Sequence, residues 1–221
     1  MAGGIPSRRS NPFATCWLGP LGTPYIAANG NTPAVLTSRL ATTGWRGQIV
    51  GPHGAGKSTL LRALEPEVNK LGRPWVEIGF RQIAGRPPAW QLIPASLDAG
   101  ALLVVDGYEQ LTLLERWVVQ WRCWRASAGL LITTHRPFNL PTLLQVVPNE
   151  ATAVAVFEQI TGDADTPVTR GDVLHAFNAS NRDMRQMFDK LYDLHEQRNR
   201  TEDVANKRHS YRVTNCEQAA I

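Results

Sequence analysis

The sequence predicts an α/β protein in which a mostly parallel five-stranded sheet carries helices on both faces, as a three-layer sandwich, followed by a small helical subdomain. Short apolar runs alternate with segments of helical periodicity as far as Pro148. A glycine-rich loop joins the first apolar run to a long helical segment, and only helical patterns follow Pro148. We therefore expect an irregular N-terminal segment (1–31), an α/β core (32–149), a helical lid subdomain (150–197) and a basic flexible tail (198–221).

Five apolar runs supply the predicted strands. They are GQIV (47–50), PWVEIGF (74–80), ALLVVDG (101–107), GLLITTH (129–135) and LLQVVP (143–148). The third run is continuously apolar up to Asp106, which is typical of a strand buried on both faces. Because helical segments separate the runs, the strands are expected to pair in parallel through right-handed crossovers.

Helical periodicity and capping residues define the helices. We predict helices over 32–44, 58–72, 91–100, 113–127, 150–160, 170–178 and 182–197. Thr32 is suited to cap the first helix, with Pro33 at the first helical position. Thr112 and Glu115 have the spacing of a capping box at the start of the fourth helix.

Three tryptophans, Trp117, Trp121 and Trp124, recur at helical spacing on the fourth helix. We expect them to pack in the core or against the sheet, in preference to forming a platform on which bases stack.

Residues 51–58 match the pattern G-x-x-x-x-G-K-[ST] between a strand and a helix. The chemistry needs glycines, because backbone N–H groups must curl around phosphate oxygens without a Cβ in the way. Lys57 would place its charge at the β and γ phosphates, and the Ser58 hydroxyl would ligate Mg²⁺. The predicted nucleotide-binding residues are Gly51, Pro52, His53, Gly54, Ala55, Gly56, Lys57, Ser58 and Thr59.

Polar residues follow the third and fourth predicted strands, whose carboxyl ends share one crevice. Asp106 is a candidate for holding Mg²⁺ together with Ser58. Glu109 is a candidate for orienting the attacking water, and the alternative is a surface glutamate near a helix start. Thr134 and the adjacent His135 could reach a γ-phosphate, or could simply cap the following loop.

The last predicted helix begins with two arginines, Arg182 and Arg185. An arginine on a mobile helical lid can close onto bound phosphate, and the alternative is a side chain that only faces solvent.

This order of motifs resembles the AAA+ branch of the P-loop ATPases over residues 11–197. NPF at 11–13 and the helix before GQIVGPHGAGKST are similar to the N-terminal part of secretion-type and transposition-helper AAA ATPases. The resemblance implies ATP at residues 51–59, magnesium at Asp106, and assembly into homo-oligomers. It also implies that Thr134 or a neighbour acts as sensor 1 and Arg185 as sensor 2.

The expected function is Mg²⁺-dependent ATP binding and hydrolysis, coupled to a protein or nucleic-acid partner. One alternative is a switch module that binds ATP without hydrolysing it. Another is a small-molecule kinase, in which Arg136 or Arg86 would hold a phosphorylated substrate. An ABC-type ATPase with His135 as switch histidine is less favoured, because no L-S-G-G-Q sequence precedes Asp106.

Composition sets the cellular context. The net charge is +4, and a basic tail could contact nucleic acid. The three cysteines are scattered in sequence, which indicates neither a disulfide framework nor a metal site. No apolar run approaches the roughly 20 residues of a membrane span. We therefore expect a soluble, cytoplasmic protein.

Overall fold

The computed structural model describes residues 11–14, 25–27, 30–80, 87–94, 97–162 and 166–218, without the side chains at 89–90 and 202–218. The chain divides into two compact units. The sheet unit is Pro24–Thr152, and the helical unit is Ala153–Ile221 together with Met1–Thr23. Most of the segment predicted as irregular, 1–31, lies outside the described residues.

Helices and strands alternate through the sheet unit. They are α1 (Pro33–Thr42), β1 (Arg46–Val50), α2 (Lys57–Lys70), β2 (Trp75–Gly79), α3 (Ala89–Leu92), β3 (Leu102–Asp106), a 3-10 helix (Tyr108–Gln110), α4 (Leu113–Arg125), β4 (Gly129–Thr134) and β5 (Thr142–Gln145). Three helices follow: α5 (Glu150–Thr161), α6 (Arg170–Ala179) and α7 (Met184–Gln218). All five strands predicted from the sequence are present.

The strands form one sheet in the order β2-β3-β4-β1-β5, and every pairing is parallel. The predicted α/β fold is therefore confirmed. β1 lies between β4 and β5, so the loop that follows it leaves the interior of the sheet. Because the strands are parallel, the carboxyl ends of β1, β3 and β4 lie at the same edge.

Each face of the sheet carries its own apolar cluster, because side chains alternate along a strand. On one face, Leu102 and Val104 of β3 pack with leucines of α1 and α2. On the other face, Leu103 and Val105 pack with Val119 and Cys123 of α4. Helices on both sides of the sheet complete the predicted three-layer arrangement.

Both predicted helix caps are confirmed. The Thr32 hydroxyl accepts a hydrogen bond from the Val35 amide at 3.3 Å, with Pro33 in the first turn. At the start of α4, the Thr112 hydroxyl accepts from the Glu115 amide at 3.3 Å, and the Glu115 carboxylate accepts from the Thr112 amide at 2.8 Å. These bonds satisfy backbone donors that a helix leaves unpaired at its first turn.

The prediction that the α4 tryptophans are core residues is wrong. Trp117, Trp121 and Trp124 are 63%, 43% and 76% exposed. The core side of α4 is formed instead by Val119 and Cys123, which are fully buried. At 100° per residue, the tryptophans lie roughly 140–200° around the helix from Val119. The helical spacing of the tryptophans predicts that they share one side of α4, but it does not predict which side faces the sheet.

Two further predictions differ from the structure. The short helix predicted over 91–100 is instead the four-residue α3, at Ala89–Leu92. The segment 198–218, predicted as part of a flexible tail, continues α7 as helix to Gln218. Because residues 184–218 contain neither glycine nor proline, the sequence offers no signal that would end the helix.

The helical unit has a small aromatic core that includes the N-terminal segment. The ring of Phe13 lies 5.9 Å from Phe157 and 6.5 Å from Phe188. The Asn11 side chain donates to the Glu196 carboxylate at 2.7 Å. Residues 11–14 are therefore fixed against α5 and α7. Within the part of the chain that the structure describes, no helix is long and apolar enough to cross a membrane.

Candidate nucleotide-binding site

The glycine-rich loop connects the end of β1 to the start of α2, as predicted. A Cβ at Gly51 would lie 2.6 Å from the Val146 carbonyl oxygen, so only glycine fits there. Gly56 has φ +90°, in the left-handed region that favours glycine. No side chain caps the first turn of α2. Its N–H groups and positive dipole end are therefore suited to an anion such as phosphate.

Lys57 is folded back against this loop. Its ammonium group donates to the carbonyl oxygens of Gly51 and Pro52 at 2.6 and 2.7 Å. Burial lowers the pKa of Lys57, and the nearby carboxylates of Glu109 and Asp106 partly offset that effect by raising it. The lysine therefore lies where the loop and two carboxylates converge.

Asp106, at the end of β3, is held by two hydroxyl groups. Ser58 Oγ donates to one carboxylate oxygen at 2.8 Å, and Thr133 Oγ1 donates to the other. The Thr133 hydroxyl also accepts from the Gly107 amide at 3.0 Å, which fixes its orientation. The contact with Thr133 could not be read from sequence, because it depends on the register between β3 and β4.

The spacing of Ser58 and Asp106 fits a magnesium ion. Adjacent ligands of octahedral Mg²⁺, each 2.0–2.1 Å from the ion, lie about 2.9 Å apart. Ser58 Oγ and Asp106 Oδ2 are 2.8 Å apart. Among the described residues, no cluster of three or more His, Cys, Asp or Glu could hold a metal ion. A Mg²⁺ ion that takes its other ligands from phosphate and water does not need such a cluster.

Glu109 and His135 meet beside the loop. His135 Nδ1 lies 3.4 Å from Glu109 Oε1, and the ring of His53, from the loop, lies 3.7 Å from the His135 ring. Among the described residues, Glu109 Oε2 is a buried oxygen without a hydrogen-bond partner. Such an atom is expected to bind water or a ligand, because an unpaired buried acceptor is costly.

The surroundings keep His135 neutral near pH 7. Burial is the main cause that lowers the pKa of His135, and the charges of Lys57 and His53 act in the same direction. The carboxylates of Glu109 and Asp106 raise it and only partly compensate. His135 Nδ1 lies 3.4 Å from Glu109 Oε1, and a neutral imidazole with its proton on Nδ1 leaves Nε2 as an acceptor.

The remaining predicted site residues have different surroundings. The Thr134 hydroxyl donates to the Arg136 carbonyl at 2.8 Å, so it caps the turn after β4. Of the predicted polar group at the end of β4, His135 is the member that contacts Glu109. Arg136 is exposed, and Arg86 lies outside the described residues. Arg185 is an exposed residue in the first turn of α7, in the helical unit.

A glycine-rich loop follows a central strand of a parallel sheet ordered β2-β3-β4-β1-β5, and helices cover both faces. This fold is like that of the AAA+ P-loop NTPases. No protein-family profile matches the chain, and no curated protein does. Solved structures share the fold at 15 to 16% sequence identity.

Three of these structures show the extent of the similarity. A DNA replication initiation factor has a TM-score of 0.52 and 15% identity, over 76% of this chain and 61% of its own. NtrX from Brucella abortus in complex with ATP has a TM-score of 0.54 and 16% identity, over 79% and 51%. AMPPCP-bound DnaA from Aquifex aeolicus has a TM-score of 0.52 and 15% identity, over 81% and 68%. The chain thus spans only about half to two thirds of these proteins.

Proposed function

We propose that this protein binds ATP with Mg²⁺ at residues 51–59 and hydrolyses it. The observation that carries the proposal is the convergence of Lys57, Ser58, Asp106 and Glu109 at one edge of the sheet. NtrX and DnaA, which have a similar fold, are seen with ATP and AMPPCP. Both observations support nucleotide as the ligand of the loop.

In this proposal each residue has a separate task. The loop amides and the start of α2 bind the phosphates, and Lys57 exchanges its loop carbonyls for phosphate oxygens. Ser58 and Asp106 would hold Mg²⁺, which neutralises charge on the β and γ phosphates when bound. Because a phosphate bears several negative charges, it is a stronger partner for an ammonium group than a neutral carbonyl is.

We assign the orientation of the attacking water to the Glu109–His135 pair. In this assignment the neutral His135 ring carries its proton on Nδ1, 3.4 Å from Glu109, so that Nε2 can accept a proton of the water. Because Thr134 faces the Arg136 carbonyl, we place the polar contact from the end of β4 at His135.

The proposal also includes a role for the helical unit and for binding partners. Arg185 would report bound phosphate as a sensor in the helical unit, and the nucleotide state would be coupled to a protein or nucleic-acid partner, in a homo-oligomer. DnaA, which shares the fold, is seen bound to AMPPCP and single-stranded DNA.

Two substitutions test the assignment. Lys57→Ala should abolish binding of a fluorescent ATP analogue. Glu109→Gln should retain binding but reduce phosphate release by about 100-fold or more, as expected when a catalytic base or its orienting group is lost. The matched control is Glu77→Gln, at an exposed position of β2, which should leave both measurements unchanged.

The outcomes separate the alternatives. Binding of ATP by the wild type without phosphate release would identify a non-hydrolysing switch. Formation of ADP that requires an added phosphoryl acceptor, without release of free phosphate, would identify a kinase. If Glu109→Gln releases phosphate at the wild-type rate, Glu109 has no catalytic task.

A further inference from the structure

A stripe of large apolar side chains covers the exposed side of α4. It consists of Leu113, Leu114, Trp117, Trp121 and Trp124, which we call the α4 stripe. Their exposed fractions are 81%, 61%, 63%, 43% and 76%. At 100° per residue all five lie within an arc of about 100°, and the stripe is about 17 Å long.

The exposed area of the α4 stripe is large for a monomer. With at most about 250 Å² for a whole tryptophan side chain and a smaller area for a leucine, the five side chains expose up to about 700 Å². The largest apolar patch on a typical monomeric protein is about 300–600 Å². One side of a standard protein–protein interface is about 800 Å². The area of the stripe is therefore close to the area that one protein contributes to a standard interface.

The exposed charge on α4 itself is positive. Arg125 lies next to it, with its guanidinium 5.9 Å from the Trp121 ring. The single carboxylate of α4 is Glu115, which is 4% exposed and held in the capping box. Binding hot spots of protein–protein interfaces are rich in tryptophan and arginine and poor in acidic residues, and the α4 stripe has this composition.

We propose that the α4 stripe binds an acidic amphipathic helix of another protein. A helix fits because apolar residues at i, i+4, i+8 and i+11 form a straight row along which a second helix can pack. Carboxylates beside the apolar face of that helix would pair with Arg125. This surface lies outside the nucleotide site, so the proposal does not depend on ATP hydrolysis.

Single-stranded nucleic acid fits the stripe less well. Such binding combines stacked bases with several cations along the phosphate backbone. Arg116 and Arg122, also on α4, donate to the carbonyl oxygens of Glu109 and Ile93 at 3.1 and 2.8 Å. Leu113 and Leu114 offer no ring for a base to stack on. Apolar contact therefore dominates over phosphate contact on this helix.

A second copy of the chain also fits less well. If two α4 stripes faced each other, each Arg125 would meet a helix whose one carboxylate is buried in its own cap. Charge complementarity therefore disfavours a contact in which two α4 stripes face each other.

The test uses a fluorescein-labelled helical peptide of about 18 residues, with leucines on one face and glutamates beside them. A matched peptide carries lysine in place of every glutamate. Fluorescence anisotropy with the full chain should show that the glutamate peptide binds at least about tenfold more tightly. Arg125→Glu should reverse this preference.

The apolar part is tested with Trp117→Ala/Trp121→Ala/Trp124→Ala, which should weaken binding of the glutamate peptide at least about tenfold. The matched control is Leu71→Ala, 60% exposed at the end of α2, which should bind like the wild type. Circular dichroism verifies folding, and the single Trp124→Ala variant replaces the triple variant if that one does not fold. Basal phosphate release should not change in any Trp variant.

Several results would overturn the proposal. These are equal binding of the two peptides, absence of binding, or full binding by the Trp variants. Binding of oligo(dT) that is lost in the Trp variants would assign the stripe to nucleic acid. Wild-type dimers in sedimentation that disappear in the Trp variants would assign it to self-association.

Discussion

His135 is the residue whose environment most directly affects the proposed chemistry. Its imidazole lies between Glu109 and His53, and its pKa is lowered below the ordinary value of 6.5, chiefly by burial. A protonated imidazole has no lone pair to accept a proton from water. The protonation state of one side chain should therefore control turnover.

We expect phosphate release to rise with pH as His135 loses its proton, with a midpoint below 6.5. His135→Gln should lower the rate by about 100-fold and remove this pH dependence, because an amide does not titrate. The measurement is steady-state phosphate release between pH 5 and 8, at saturating ATP and Mg²⁺. His175→Gln, at an exposed position of α6, is the control and should keep the wild-type profile. An unchanged profile in the His135 variant would remove His135 from the mechanism.

Among the helices and strands, α4 is the one whose first turn we expect to affect both stability and the site. The cap of Thr112 and Glu115 fixes where this helix begins, directly after the loop that holds Glu109. Arg116 donates to the Glu109 carbonyl and its guanidinium lies 4.6 Å from the Phe138 ring centroid, so the first turn of α4 also supports the catalytic loop. Loss of the cap should therefore reduce stability and loosen the loop.

We expect Thr112→Ala to lower the free energy of unfolding by about 1–2 kcal/mol, because it removes a side-chain acceptor at the start of α4. Thr112→Ser keeps the hydroxyl and should be close to the wild type. Urea unfolding followed by circular dichroism measures both variants. Equal stability of the alanine and serine variants would show that the cap contributes little.

The sequence predicted the elements well where the signal is local. Strand runs, the glycine loop and the caps at Thr32 and Thr112 are decided by neighbouring residues, and the structure confirms them. The α4 tryptophans lie on the side opposite to the predicted one, because helical spacing does not say where the sheet lies. The helix in 198–218 differs from the predicted tail, because its polar composition is also that of a tail.

In the candidate site, too, the sequence predicts local features but not the contacts between distant residues. Lys57, Ser58 and Asp106 could be found by motif, because the chemistry requires those residues at fixed places in the chain. The contacts of Thr133 with Asp106, and of His53 with His135, join residues separated by 27 and 82 positions, and they follow from strand register. No local pattern contains that information.

At the scale of the whole molecule, the helical unit contains an ion pair between two of its helices. In the helical unit, Arg198 donates to both oxygens of Asp172 at 2.6 and 2.9 Å and to the Pro167 carbonyl. The hydrogen bond from Arg198 is the largest cause that lowers the pKa of Asp172 to about 2, from 3.8. The pair joins α6 to α7.

Because the folded pKa of Asp172 is depressed, its stabilisation is present above pH 3.8 and is lost as the pH falls toward 2. Asp172→Asn should lower stability at neutral pH only modestly, because Arg198 is 37% exposed and solvent screens the pair. The variant should also lose less stability than the wild type between pH 4 and 2. Thermal melting at each pH measures this, with Asp189→Asn on α7 as the control. A variant with the wild-type acid profile would contradict the assignment.

The place of β1 within the sheet has a consequence for synthesis of the chain. β1 ends at Val50, but its two neighbours in the sheet are β4 and β5, which end at Thr134 and Gln145. At about 5–20 residues per second, the ribosome needs several seconds to make the chain between them. The phosphate loop is therefore translated early but gains its supporting strands late, so nucleotide can stabilise the nascent chain only after Gln145 has been added.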